Sequence, residues 1–199
     1  MKTIICTLLL LVTFSIAACA QRVELNGGYL HVTGDQGLDG YTLGGSYYLV
    51  HRASLAFSYD SVYDNSKLGA FELTNVGLTS TRSHLQDWLI GPRFFTPGLL
   101  HGKGKVQGHL LIPFLEAQFG ESNLYSRVTL LNLGTARAAE TAFTWMGGGG
   151  GDFRVTDHVA ARVNIDLLRT HFVKTGQSRA RFGLGLIYTF GAWKVPLGK

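Results

Sequence analysis

An all-β fold, a meander of eight antiparallel strands closed into an up-and-down barrel, is predicted by three features of this sequence. Apolar residues alternate with period two over long stretches, glycine and aromatic residues abound, and the connections between apolar stretches alternate between short and long. The chain has 199 residues, with 26 Gly, 12 Phe and 8 Tyr against only 4 Pro, a composition that suits strands better than helices. Its formal net charge of +5 is spread along the chain, so it lacks the clustered basic face that a nucleic-acid partner needs.

Ahead of the barrel, residues 1–20 read as a cleaved secretory signal peptide: Lys2, an apolar run from Thr3 to Ala17, and small residues at Ala18 and Ala20. Cleavage after Ala20 leaves Gln21 as the first residue. Alternatively, Ile16-Ala17-Ala18-Cys19 serves as a lipobox and Cys19 is lipidated. Only Cys6 and Cys19 occur, so a chain cut after Ala20 has no cysteine, which excludes a disulfide scaffold, a cysteine-zinc site and a thiol nucleophile. Residues 21–199 then form one domain with a short C-terminal tail at 191–199, and they hold no apolar run long enough for a membrane-spanning helix.

The predicted strands cover roughly 22–33, 41–50, 53–63, 83–95, 105–119, 142–154, 158–172 and 179–190. In the fourth, Trp88, Ile90, Pro92 and Phe94 share one face, and Asp87, Leu89, Gly91 and Arg93 the other. The seventh sets Val159, Ala161, Val163, Ile165 and Leu167 against Ala160, Arg162, Asn164 and Asp166. The eighth sets Phe182, Leu184, Leu186, Tyr188 and Phe190 against Arg181, Gly183, Gly185, Ile187 and Thr189. Short connections fall at His51-Arg52, Pro97–Gly104 and Val155–Asp157. Longer ones cover Gly34–Gly40, Asp64–Arg82 and Gly120–Thr141, with a small tip at Lys174–Ser178. Closing such a meander removes its exposed edges.

Alternation alone leaves open which face meets the solvent. A lipocalin-like barrel is apolar inside and wet outside; a membrane barrel is the reverse. A wet outer face carries Lys and Glu in mid-strand, but here Lys67, Lys103, Lys105, Lys174, Lys194 and Lys199 all sit in loops, in tails or at a strand start. The charges within strands are few and of mixed sign, among them Asp60. A luminal network of Glu24, Asp87, Arg93, Glu116, Asp152, Arg162, Asp166 and Arg181 is therefore expected, paired inside a narrow, small-residue lumen. The small residues include Gly28, Gly44, Ser46, Ala56, Ser58 and Gly91. Aromatic residues such as Tyr29, Phe57, Trp88, Phe119, Phe143 and Tyr188 gather on the other face and near strand ends, as interfacial girdles require.

WLIGPRFF (Trp88–Phe95), PFLEAQFG (Pro113–Gly120), GGGGGDFRVTDHVAARV (Gly147–Val163) and the closing FGLGLIYTFG (Phe182–Gly191) resemble small eight-stranded bacterial outer-membrane β-barrels, the OmpA-like transmembrane, OmpX-like and opacity-like proteins. The resemblance implies a closed transmembrane barrel in the bacterial outer membrane, reached by secretion across the inner membrane. Its implied partners are outer-membrane lipids, the barrel assembly machinery during biogenesis and an unidentified surface ligand, with the protein a monomer. AWKVPLGK extends past the terminal aromatic that often closes such chains, and no following peptidoglycan-binding domain is expected.

Within this scheme the glycine run Gly147–Gly151 is mid-strand, with Gly147, Gly149 and Gly151 facing lipid and Gly148 and Gly150 the lumen. No cofactor and no metal is expected, since His31, His51, His101, His109 and His158 lack ligand spacing. For catalysis the candidates are Ser83 beside His84, whose side chains point to opposite faces of a strand, and His171 near Ser178. The function expected is non-enzymatic, exerted through external loops or through membrane residence itself. A secreted or lipidated soluble barrel with an apolar ligand is the alternative, and a rim enzyme acting on lipids the third reading.

Overall fold

The computed structural model describes residues 22–34, 37–64, 78–99, 101–102, 108–130, 134–172 and 176–190. The signal segment, the 191–199 tail and all six mature-chain lysines lie outside the described residues. The strands are β1 (Val23–Val32), β2 (Leu38–Val50), β3 (Ala53–Asp64), β4 (Leu78–Phe95), β5 (His101–Gly102), β6 (Gly108–His109), β7 (Leu111–Leu130), β8 (Gly134–Arg154), β9 (Val159–Thr170) and β10 (Gln177–Phe190). Eight of them close a barrel in the order β1-β10-β9-β8-β7-β4-β3-β2, and the two-residue strands β5 and β6 pair with each other outside it. All neighbours are antiparallel, and β1 seals the ring against β10 from Val23↔Phe190 to Val32↔Arg181.

The predicted eight-stranded meander is present, but several boundaries move, among them the start of β2, at Leu38 rather than 41. The strand predicted over 105–119 starts instead at Leu111, after the short β5–β6 pair. The end of the Asp64–Arg82 connection is strand, since β4 begins at Leu78. The largest change is at Gly120–Thr141, predicted as a long connection: β7 and β8 stay paired from Gly120↔Thr144 out to Leu130↔Gly134. In this outer stretch Glu121, Asn123 and Arg127 face one way and Ser122 and Ser126 the other. With polar residues on both faces, a strand loses the alternation that betrays it in sequence.

The faces are inverted relative to a soluble protein. Outward-pointing Leu115, Leu184 and Leu186 are 63%, 58% and 62% exposed, while the eight predicted luminal charges and Asp60 are buried. On β7 the outward apolar positions run from Leu111 to Phe119, nine residues, the length of a tilted strand crossing a bilayer core. Tyr29, Tyr41, Trp88, Phe119 and Phe143 stand where the apolar wall gives way to polar outward residues, and Phe94, Phe153, Tyr188 and Phe190 stand at the opposite rim.

Candidate functional site: a sealed charged lumen

The lumen is built in layers. At the end that carries the tight turns, Tyr48, Phe95, Ile112, Phe114, Ala160 and Ile187 form an apolar plug, with Tyr48 and Phe95 stacked at 5.2 Å. Toward the opposite end lies a second plug that includes Leu30, Val62, Leu85, Met146, Leu168 and Phe172. The sequence predicts an interior lined by polar groups and glycine; these apolar layers correct that picture. They follow from geometry: an eight-stranded ring is narrow enough for side chains to fill it, and near its ends fewer ionic partners converge, so apolar groups fill the space at lower desolvation cost.

Between the plugs sits the charge network. All eight predicted members are buried, none more than 7% exposed. Arg93 donates through Nε and Nη2 to Glu116 Oε2 at 3.1 and 2.7 Å, and through Nη1 to Ser46 at 2.9 Å. Arg162 forks onto Asp152, with Nε and Nη2 donating to the two carboxylate oxygens at 2.7 Å each, and its Nη2 also lies 3.6 Å from Glu24. Planar guanidinium groups suit such two-point contacts. Arg181 donates to Asp60 at 2.6 Å and lies 3.8 Å from Asp166. Asp60, outside the predicted set, thus joins the network as a principal partner. Asp87 takes none of these ion pairs; it lies directly across from Asp60 in the β3–β4 register. A register that far apart in sequence has no local signature, which is why this pairing escapes prediction.

Neutral groups complete the network. Tyr48 donates its hydroxyl to Glu24 at 2.7 Å, Gln118 donates to Glu116 at 2.8 Å, and Ser58 donates to Gln118 at 2.9 Å. The Phe114 ring is flanked by the guanidinium groups of Arg93 and Arg162, at 5.0 and 4.8 Å from its centroid. What space remains among Asn26, Ser58, Arg93, Gln118 and Arg181 amounts to about 30 Å³, enough for about one water but not for an apolar ligand.

The glycine run has the phase predicted for it. A Cβ on Gly148 would lie 2.4 Å from Asp166 Oδ1 and one on Gly150 would lie 2.9 Å from Phe114 Cζ, so both face the lumen and make room for network residues. Outward, Gly149 lies under Leu115 and Gly151 under Leu111.

The closed eight-stranded ring has counterparts among solved structures. Neisserial surface protein A matches with a TM-score of 0.57 at 13% identity, over 86% of this chain and 97% of that one. A major outer membrane protein from Thermus thermophilus gives 0.56 at 11% identity, over 86% and 100%. Ail, the attachment invasion locus protein of Yersinia pestis, gives 0.53 at 11% identity, over 85% and 97%. This chain has the fold of the small eight-stranded outer-membrane barrels. By sequence, no family model and no curated protein matches it.

The serine–histidine pairs in this outer-membrane-type barrel are arranged differently from the sequence candidates. Ser83 and His84 fall on opposite faces of β4, as strand geometry dictates. His171 and Ser178 are both exposed where β9 passes to β10. Instead, Ser61 Oγ lies 2.9 Å from His84 Nε2 across the β3–β4 pairing, on the outer face. Ser61 is wholly buried, beside the stacked rings of Tyr63 and His84. The hydroxyl of Ser61 thereby fixes the imidazole's orientation.

Proposed function

We propose that this protein is a non-enzymatic, monomeric integral outer-membrane barrel, delivered across the inner membrane and folded into lipid by the barrel assembly machinery, whose work is done by the surface it presents outside the bilayer. The observation that carries this reading is the inverted wall: a continuous outward belt of large apolar residues about one bilayer core thick around an interior closed by ion pairs and two apolar plugs. Such an interior transmits no solute, so the protein neither stores an apolar ligand nor serves as a general pore. By the usual plan of these barrels the tight-turn end, which also bears both strand termini at Val23 and Phe190, faces the periplasm, and the long strands β4, β7 and β8 project outside.

Two measurements test this. The mature protein is expected to fractionate with outer membranes and to require detergent for extraction; recovery as a soluble periplasmic protein would overturn membrane residence. In planar bilayers it is expected to give no large steady conductance, and stable porin-sized channels would overturn the sealed lumen.

A further inference from the structure

We infer that Asp60 on β3 and Asp87 on β4 form a proton-binding site within the lumen, a carboxyl–carboxylate pair that holds one proton in the folded barrel. The two residues are direct cross-strand partners, and they are 0% and 1% exposed. Side chains paired in this way have Cβ atoms about 4.5 to 5.5 Å apart, and like charges so placed repel each other. Neither carboxyl oxygen of Asp87 has a hydrogen-bond partner among the described residues, and Asp60 Oδ1 has none either. Ser122, the cross-strand partner of Asp87 on β7, is already bonded to Thr144 at 2.6 Å. Leu85 and Leu89, two residues to either side of Asp87, belong to the second apolar plug together with Val62 and Met146. An ionised carboxylate set into that plug, facing a second carboxylate and no donor, costs more than a neutral one.

The neighbouring strands supply no cation for Asp87. On β10, Arg181 donates to Asp60 Oδ2 at 2.6 Å and its Nε lies 3.8 Å from Asp166, so one guanidinium already serves two carboxylates. Arg179, half-buried on the same strand, donates to Gln177 at 2.9 Å where the lumen opens. Arg93 is committed to Glu116 and Arg162 to Asp152, each through two donors. The other charged groups toward the pair are acidic: Asp64 four residues along β3, Glu116 on β7 and Asp166 on β9. From β1, β2 and β8 come Leu30, Thr42 and Met146, none of which ionises; Thr42 is the second cross-strand partner of Asp60. A metal ion would also add positive charge, but no three acidic, histidine or cysteine side chains among the described residues converge to hold one. A proton on Asp87 removes one of the two opposed charges and supplies the donor that Asp60 Oδ1 lacks, leaving Asp60 ionised against Arg181. The second plug is thereby tied to pH, because loss of the proton places two like charges inside it.

The test uses the folded barrel in detergent micelles at about pH 6, far enough above the ordinary aspartate value of about 3.9 that an unfolded aspartate is ionised. Folding of each protein is verified by the gel-mobility difference between unboiled and boiled samples. The infrared spectrum of the parent is expected to contain the carbonyl stretch of a protonated carboxylic acid, shifted in heavy water. Asp87→Asn keeps the shape of the side chain and is expected to lose that band, whereas Asp152→Asn, at a buried carboxylate held by Arg162, is expected to keep it. Unfolding in urea at the same pH is expected to release about one proton more from the parent than from Asp87→Asn, so that the parent's unfolding constant rises about tenfold more per pH unit. A parent spectrum without the band overturns the site, and this result stands whether or not the variants fold. A band that survives Asp87→Asn, or an equal proton count in the two proteins, overturns it as well.

Discussion

Two adjacent glycines on β8 should respond in opposite ways to the same substitution. A Cβ added at Gly147 meets only Trp145 Cζ3 at 3.9 Å, an ordinary contact. One added at Gly148 meets Ile165 O and Asp166 Oδ1 at 2.4 Å and Asp166 Cα at 2.5 Å. Two of those three atoms are backbone of the hydrogen-bonded neighbour β9, so no rotamer change relieves the overlap. Gly147→Ala therefore acts mainly by removing freedom from the unfolded chain and is expected to stabilise the barrel by about 0.4 to 1 kcal/mol. Gly148→Ala forces the wall apart beside the Arg181–Asp166 contact and is expected to cost about 1 to 3 kcal/mol, the usual range for overpacking. The two variants should thus differ by about 1.5 to 4 kcal/mol, the span of those two effects taken together. Reversible urea unfolding in detergent micelles, followed by tryptophan fluorescence and by the fraction of fast-migrating folded band on an unboiled gel, measures that gap. Equal midpoints, or a lower midpoint for Gly147→Ala, would show that the glycine run has the opposite phase, and the assignment of the lumen would fall with it.

Three other outcomes are expected. Single-cysteine labels at Ile165 and Leu186, which are 56% and 62% exposed on the outer wall, should be quenched by lipids carrying a quencher on the acyl chain, whereas labels at Asn164 and Gly185 should not; a uniform response would refute the alternation. Val163→Arg puts a charge on that wall and is expected to cost about 2 to 4 kcal/mol of insertion free energy near the midplane, so refolding into vesicles as efficient as the parent's would contradict a lipid-facing Val163. Arg162→Met strands Asp152 without its cation, while Glu24 keeps its ion pair with Arg22, and is expected to destabilise the barrel by about 3 to 5 kcal/mol, with Arg162→Met/Asp152→Leu recovering part of it; a single variant as stable as the parent would mean that the Arg162–Asp152 pair contributes nothing.

The period-two alternation in β4, β9 and β10 determined the fold class, because a strand that meets two different solvents must write both faces into consecutive residues. For the same reason the absence of lysine from strand middles and the scatter of mixed charges were enough to say which face looks inward, and the eight predicted charges, all of them buried, are legible one strand at a time. What alternation cannot carry is anything that depends on which strands become neighbours. Arg162 forks onto Asp152, its direct partner in the β8–β9 hairpin, but that Arg181 reaches Asp60 from 121 residues away was decided only when β1 closed on β10. The apolar plugs were hidden too, since inward Leu30, Leu85 and Leu168 look like lapses in alternation until the ring brings them together. Beyond the bilayer water wets both faces, so the outer halves of β7 and β8 lose the two-solvent pattern. Arg82, Arg127 and Arg137 fall in one outward row only through the register of β4, β7 and β8.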